Sequence, residues 1–159
     1  MLIANDEMLV ASHPLIEAGI KYWQKLARDR AMPRRRELDP TDIPRLLPYT
    51  ILLDIQHDPL DFYIRVAGQH IIDNYGRTPV RCTINTLISE NPSIRRFADS
   101  FRLCVQQRRP VVVEDRFVGA DDLRKRTYGV ILPLADDRDE VSHLLCFSVY
   151  LDRDGHQIG

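Results

Sequence analysis

Apolar residues recur at three- and four-residue steps over residues 14–30 and again over 93–109, and at two-residue steps in the stretches between and after them. Ile16, Ile20, Trp23 and Ala27, widened by Leu15, Gly19, Tyr22 and Leu26, predict an amphipathic helix at 14–30. Ser12 offers it a hydroxyl cap, Pro14 takes a first-turn place where a missing N–H costs nothing, and Met32-Pro33 ends it. Ile94, Phe97, Ala98, Phe101, Cys104 and Val105 form the second stripe, with Arg95, Arg96, Arg102 and Gln106 turned outward. Asn91-Pro92 starts this helix, and Arg108 and Arg109 complement the dipole at its end.

Period two marks the strands. Ile51, Leu53 and Ile55 alternate with Leu52, Asp54 and Gln56; after the turn at 57–60, Phe62, Ile64 and Val66 alternate with Tyr63, Arg65 and Ala67. The pair predicts a hairpin with one buried face. Gly68 marks its exit, a short helix runs through Ile71, Ile72 and Tyr75, and Gly76 suits a left-handed cap. The segment 31–48 reads as a connector with one or two helical turns, capped by Thr41 in preference to Asp39, with Leu46 and Leu47 inward and Pro48 as the stop. Residues 77–92 are irregular apart from a turn or two near Thr86 to Ser89. Strands at 111–118, 127–134 and 141–151 close the chain. Two strands, helices, then three strands predict an α+β fold, a small antiparallel sheet with helices over one face and an N-terminal amphipathic helix. The expected organisation is a tail at 1–13, a single domain at 14–152 (helical extension 14–48, core 50–152), and a tail at 153–159.

Composition narrows the class. The chain has 159 residues, 44% hydrophobic and 28% charged, as one soluble domain does. No apolar run reaches the ~18 residues of a membrane span, and Asp6 and Glu7 stand where a signal peptide is basic. Cys82, Cys104 and Cys146 are odd in number and show no CxxC spacing, so reduced thiols and a cytoplasmic location are expected. A net charge of −1 conceals a basic stretch, Lys21 to Arg36, and an acidic one, Asp136 to Glu140.

The stretch Tyr22-Trp23, the connector Pro33-Arg34-Arg35-Arg36-Glu37-Leu38-Asp39-Pro40, Leu46-Leu47-Pro48, the strand exit Arg65-Val66-Ala67-Gly68 and Leu132-Pro133-Leu134 together resemble a bacterial family of single-domain PAS proteins, over about Tyr22 to Leu151. The family often has a second glycine after the short helix, where this chain has Val80-Arg81. The resemblance implies a five-stranded antiparallel sheet with helices on its concave face, and a sensory or protein-association role whose output passes through a partner or self-association.

Candidate chemistry is sparse. No histidine lies at metal-ligand spacing such as HExxH, the 93–109 helix has none to serve a haem, and Gly76 to Cys82 lacks the asparagine-cysteine-arginine core of flavin-binding relatives; haem and flavin are therefore disfavoured. Acidic Asp121-Asp122 and 136–140 lack a calcium-loop spacing, and no metal site or catalytic group is expected. If a cavity lies between helix and sheet, Phe97 and Phe101 would wall it, with Arg65, His70, Tyr75 and Tyr128 as polar-tipped candidates for a small ligand; the competing reading is plain core packing. Two roles remain. One is a non-enzymatic sensory domain that forms a homodimer or meets a signalling partner through Ile16, Ile20, Tyr22 and Trp23, unless that stripe folds back on its own sheet. The other is a nucleotide- or phosphate-binding regulator using the arginines at 28–36, Arg34, Arg35 and Arg36 above all. No membrane contact is expected, and nucleic acid is disfavoured.

Overall fold

The computed structural model describes residues 2–3, 13–119, 124–152 and 154–158. Among them are six strands, β1 (Leu2–Ile3), β2 (Thr50–Gln56), β3 (Asp61–Ala67), β4 (Val111–Val118), β5 (Arg124–Ala135) and β6 (Val141–Leu151). Four α-helices accompany them, α1 (Pro14–Ala27), α2 (Gln69–Tyr75), α3 (Ile84–Glu90) and α4 (Arg95–Gln107). The sheet is antiparallel throughout, in the order β1-β4-β5-β6-β2-β3. Five of these strands are those expected. The sixth, β1, pairs Leu2 with Val112 at the edge of β4, inside the segment read as a tail.

Directly paired residues share a face of the sheet. Register therefore sets Val111, Ile131, Cys146 and Ile51 in one row of the inner face, and Val113, Gly129 and Ser148 in the next. Helix α4 packs there: Phe101 meets Phe62 with ring centroids 5.5 Å apart, and Cys104 Sγ donates towards Ile131 O at 3.7 Å. The outer face presents Leu132, Leu145, Phe147 and Val149, all fully buried, and α1 covers them. Gly19 makes that approach possible, since a Cβ there would stand 2.3 Å from the Phe147 ring. Trp23 Nε1 donates to Pro133 O at 2.9 Å and anchors the same contact.

Several local expectations change. The β2–β3 register shifts between Leu52 and Leu53, pairing them with Val66 and Ile64, so Arg65 is the extra residue of a bulge. The bulge turns Val66 outward, 42% exposed, and gives its expected inner place to Ala67. Helix α1 stops at Ala27, where Arg28 adopts φ 57°, and its cap is His13, whose Nδ1 accepts from Leu15 N at 3.2 Å. Ser12 lies outside the described residues. In the connector, Asp39 and not Thr41 caps a single 3-10 turn, accepting from Thr41 N at 3.0 Å, because Pro40 already fills the first-turn place. Leu46 is buried as expected, but Leu47 is 38% exposed. Residues 84–90 make a full helix, α3, capped by the Thr83 hydroxyl. Arg81 stands at φ 71°, a left-handed backbone. The 154–158 segment is no free tail: Ile158 N donates to Tyr150 O at 2.9 Å.

Candidate functional site

Between α4 and the inner face lies a cavity of about 70 Å³. Phe97, Ala98 and Phe101 roof it from α4; Ile51, Leu53 and Ile64 form its floor. Phe97 and Phe101 meet edge-on at 5.4 Å, one helical turn apart, while Ala98 contributes little bulk between them. Ile71 and Tyr75 of α2 close one end, and Asp115 and Arg116 of β4 belong to the lining as well. Thr127, Ser148 and Tyr150 of β5 and β6, each buried, complete the lining. Burial pushes the Tyr150 hydroxyl pKa up, which keeps it a neutral donor.

Of the ligand candidates read from sequence, Tyr75, Phe97 and Phe101 line this cavity. The other three do not. Tyr128 pairs with Val149 on the outer face. Arg65, on the face opposite Ile64, binds Asp54. The other Asp54 oxygen lies 3.3 Å from His143 Nε2, and Ser142 Oγ lies 2.8 Å from His143 Nδ1. Serine, histidine and aspartate thus touch, but Arg65 neutralises the carboxylate and burial lowers the His143 pKa, so the imidazole is a weakened base.

His70 serves the framework. Its Nε2 accepts from Tyr150 N at 3.2 Å, which assigns the proton to Nδ1, and its ring packs 4.8 Å from that of Tyr49. Asn74 Nδ2 donates to His70 O at 2.9 Å, and Lys125 Nζ donates to Asn74 Oδ1 at 3.2 Å. Burial lowers the His70 pKa below its usual 6.5, assisted by the nearby Lys125 charge and opposed by Asp73. The unfolded chain then binds more protons than the folded one in the window just below pH 6.5. Stability is complete above that pH and falls as the pH drops through the window. Urea unfolding is expected to show lower stability at about pH 5.5 than at about pH 7.5, and His70→Gln, which keeps an acceptor, to shrink the difference. His143 shifts in the same direction and leaves a residual slope. An undiminished slope in His70→Gln would show that His70 is not the group responsible.

The contact stripe expected of α1 is used inside the chain. Ile16, Ile20 and Trp23 are buried against the outer face, because that face is itself apolar and needs cover. Tyr22 is half-buried and its hydroxyl accepts from Asp39 N at 3.1 Å. The arginine cluster is also engaged. Arg34 donates to Asp136 O and lies 3.4 Å from Asp139 Oδ1; Arg36 lies 3.4 Å from Asp137 Oδ1. Arg108 reaches the same turn, donating to Asp139 O at 2.6 Å. The basic and acidic stretches of the sequence thus meet each other, which leaves Arg34 and Arg36 poorly placed to fork a phosphate. Asp136 Oδ1 accepts from Arg138 N and Glu140 N and so shapes the acidic turn. Asp121-Asp122 lies outside the described residues.

A model of the PAS domain matches residues 11–147. The chain belongs to the PAS domain family. No curated protein matches the sequence. Among solved structures, this PAS domain is similar to a light-oxygen-voltage (LOV) domain studied with a flavin analogue, at 15% identity and TM-score 0.57, over 72% of this chain and 84% of that one. It is similar also to a LOV protein of Rhodobacter sphaeroides, 15% identical with TM-score 0.53 over 74% and 71%. A third is a PAS domain from Colwellia psychrerythraea, 10% identical with TM-score 0.51 over 70% and 95%. These likenesses show the fold alone.

About 70 Å³ is small beside the roughly 300–1,000 Å³ of sites for drug-sized ligands. No cysteine lines the cavity among the described residues: Cys82 stands beside Arg77, and Cys104 and Cys146 are buried with pKa values pushed up. No helix of the described residues is long and apolar enough to cross a membrane.

Proposed function

We propose that this PAS domain perceives a small molecule and acts by recognition, not bond-making, within a signalling assembly. The observation that carries the reading is the carbon-walled cavity held between α4 and the inner face of the sheet. Such a void forgoes contacts that a guest would restore, so occupancy shifts the balance between conformations of α4 and the strands beneath it. The PAS fold supports the sensory class.

Xenon, which enters dry apolar cavities, is the direct probe. Under xenon pressure the methyl resonances of Ile51, Leu53, Ile64 and Ile71 are expected to shift saturably, and Ala98→Leu, which fills the roof, to abolish the response. Methyls that stay fixed in the wild type would end the perception reading. The rotational correlation time of the same sample reports the subunit count. The homodimer belongs to the proposal, formed by surfaces other than the buried α1 stripe, and tumbling as one chain at every concentration would remove it. A phosphate-binding role through Arg34, Arg35 and Arg36 gains no support from their geometry, for the acidic turn already holds two of the three.

A further inference from the structure

Ser148 is 1% exposed, and its Oγ is the one buried side-chain nitrogen or oxygen among the described residues that has no hydrogen-bond partner. It sits in mid-β6 on the inner face and lines the cavity. Across the strand pair its neighbour is Gly129, whose lack of a side chain makes room for the hydroxyl, since an added Cβ would crowd it at 3.3 Å. A buried hydroxyl left unpaired is a standing cost, which alanine at the same place would not bear.

We propose that Ser148 anchors a small neutral guest, mostly hydrocarbon and carrying a single alcohol or carbonyl oxygen, in the cavity under α4; the inference rests on the perception role proposed above. Each attribute of the guest follows from the walls. Size comes from the volume: about 70 Å³ is roughly half the ~150 Å³ that admits benzene, so four or five heavy atoms fit without rearrangement. Apolarity comes from the lining, which is carbon from Ile51, Leu53, Phe97, Ala98 and Phe101. Neutrality comes from the charges at hand. The Asp115 carboxylate is already faced by Arg96 at 3.6 Å, so the cavity has no spare carboxylate with which to balance a cation. The single oxygen answers the single unpaired hydroxyl. An ordered water is a poorer occupant, since it asks for two to four polar partners in a space walled chiefly by carbon.

The test compares butan-2-one with its hydrocarbon counterpart 2-methylbut-1-ene, by methyl and amide resonance titration of the wild type, Ser148→Ala and Ala98→Leu. Both probes are expected to shift Ile51, Leu53 and the Ser148 amide. The ketone should bind about fivefold more tightly, the effect of one net neutral hydrogen bond. In Ser148→Ala the ketone preference is lost or reversed, because its oxygen then lacks a partner; in Ala98→Leu neither probe binds. A ketone preference that survives in Ser148→Ala overturns the anchor while leaving the cavity reading intact. Failure of both probes and of xenon in the wild type overturns the cavity reading itself. A second measurement needs no guest. Ser148→Ala without ligand should keep or raise the thermal midpoint, because it deletes an unpaired group, and a fall of about 3 °C or more would show that the hydroxyl has a structural partner after all.

Discussion

Trp23→Ala is expected to lower the unfolding free energy by about 3–5 kcal/mol, the range for removing a large aromatic side chain from a core. Two losses combine. The indole is 6% exposed and packs α1 onto the outer face, so its removal leaves a void the helix cannot fill by small shifts. It also takes the donor away from Pro133 O, 2.9 Å distant and buried. Trp23→Phe separates the two, keeping much of the volume and costing about 1 kcal/mol for the unpaired carbonyl in addition to the lost ring area. Urea midpoints at constant m-value measure both. The chain has one tryptophan, so its fluorescence reports directly whether α1 is seated in the wild type. A Trp23→Ala variant within about 1 kcal/mol of wild type would mean that α1 is not held to the sheet as described.

Gly68→Ala is the second large effect, expected at about 3 kcal/mol or outright failure to fold. The backbone conformation there, φ −73° and ψ 163°, is open to any residue, so the reason is purely steric. An added Cβ would stand 2.1 Å from Leu47 O and 2.3 Å from Pro48 O. Both obstacles are main chain, held by the 3-10 turn whose Tyr49 N donates to Leu46 O at 2.9 Å and by Gly68 N donating to Thr50 O at 2.8 Å. A flexible side chain could yield; a hydrogen-bonded turn must move as a unit. Soluble yield and thermal midpoint test this, and melting within about 2 °C of wild type would show that the turn can retreat. The strand-exit glycine of the Arg65-Val66-Ala67-Gly68 motif is thereby explained by crowding between connector and sheet.

Much of the fold was legible because its pattern is local. The β2 and β3 bounds and the α4 stripe follow from alternation and from three- and four-residue spacing, which burial on one face imposes directly. The bulge at Arg65 was not legible. Phe62, Ile64 and Val66 alternate without a break, and only the partner strand reveals that one residue of β3 has no opposite number. That single insertion turns Val66 outward; Arg65 lies on the face opposite Phe62 and Ile64 by alternation alone. The α1 stripe was legible as apolar, but sequence alone could not choose between a second copy and the chain's own outer face as its cover. The cavity was half visible: Phe97, Phe101 and Tyr75 came from aromatic count and helix phase. Ser148 was missed, although the signal was there, a hydroxyl sharing the parity of Cys146 and Tyr150 in a strand with little polar character. The pairing of Arg34 and Arg36 with the acidic turn is not legible in the sequence, because that turn lies about a hundred positions away.

Phe147 and Ser148 are consecutive, yet one fills the seat beneath Gly19 and the other lines the void under Ala98. Sliding β6 by a single residue would thrust a phenyl ring into the hollow and set a hydroxyl against the helix. Each side of the strand therefore proofreads the other, and misaligned pairings of the central hairpin are rejected twice over.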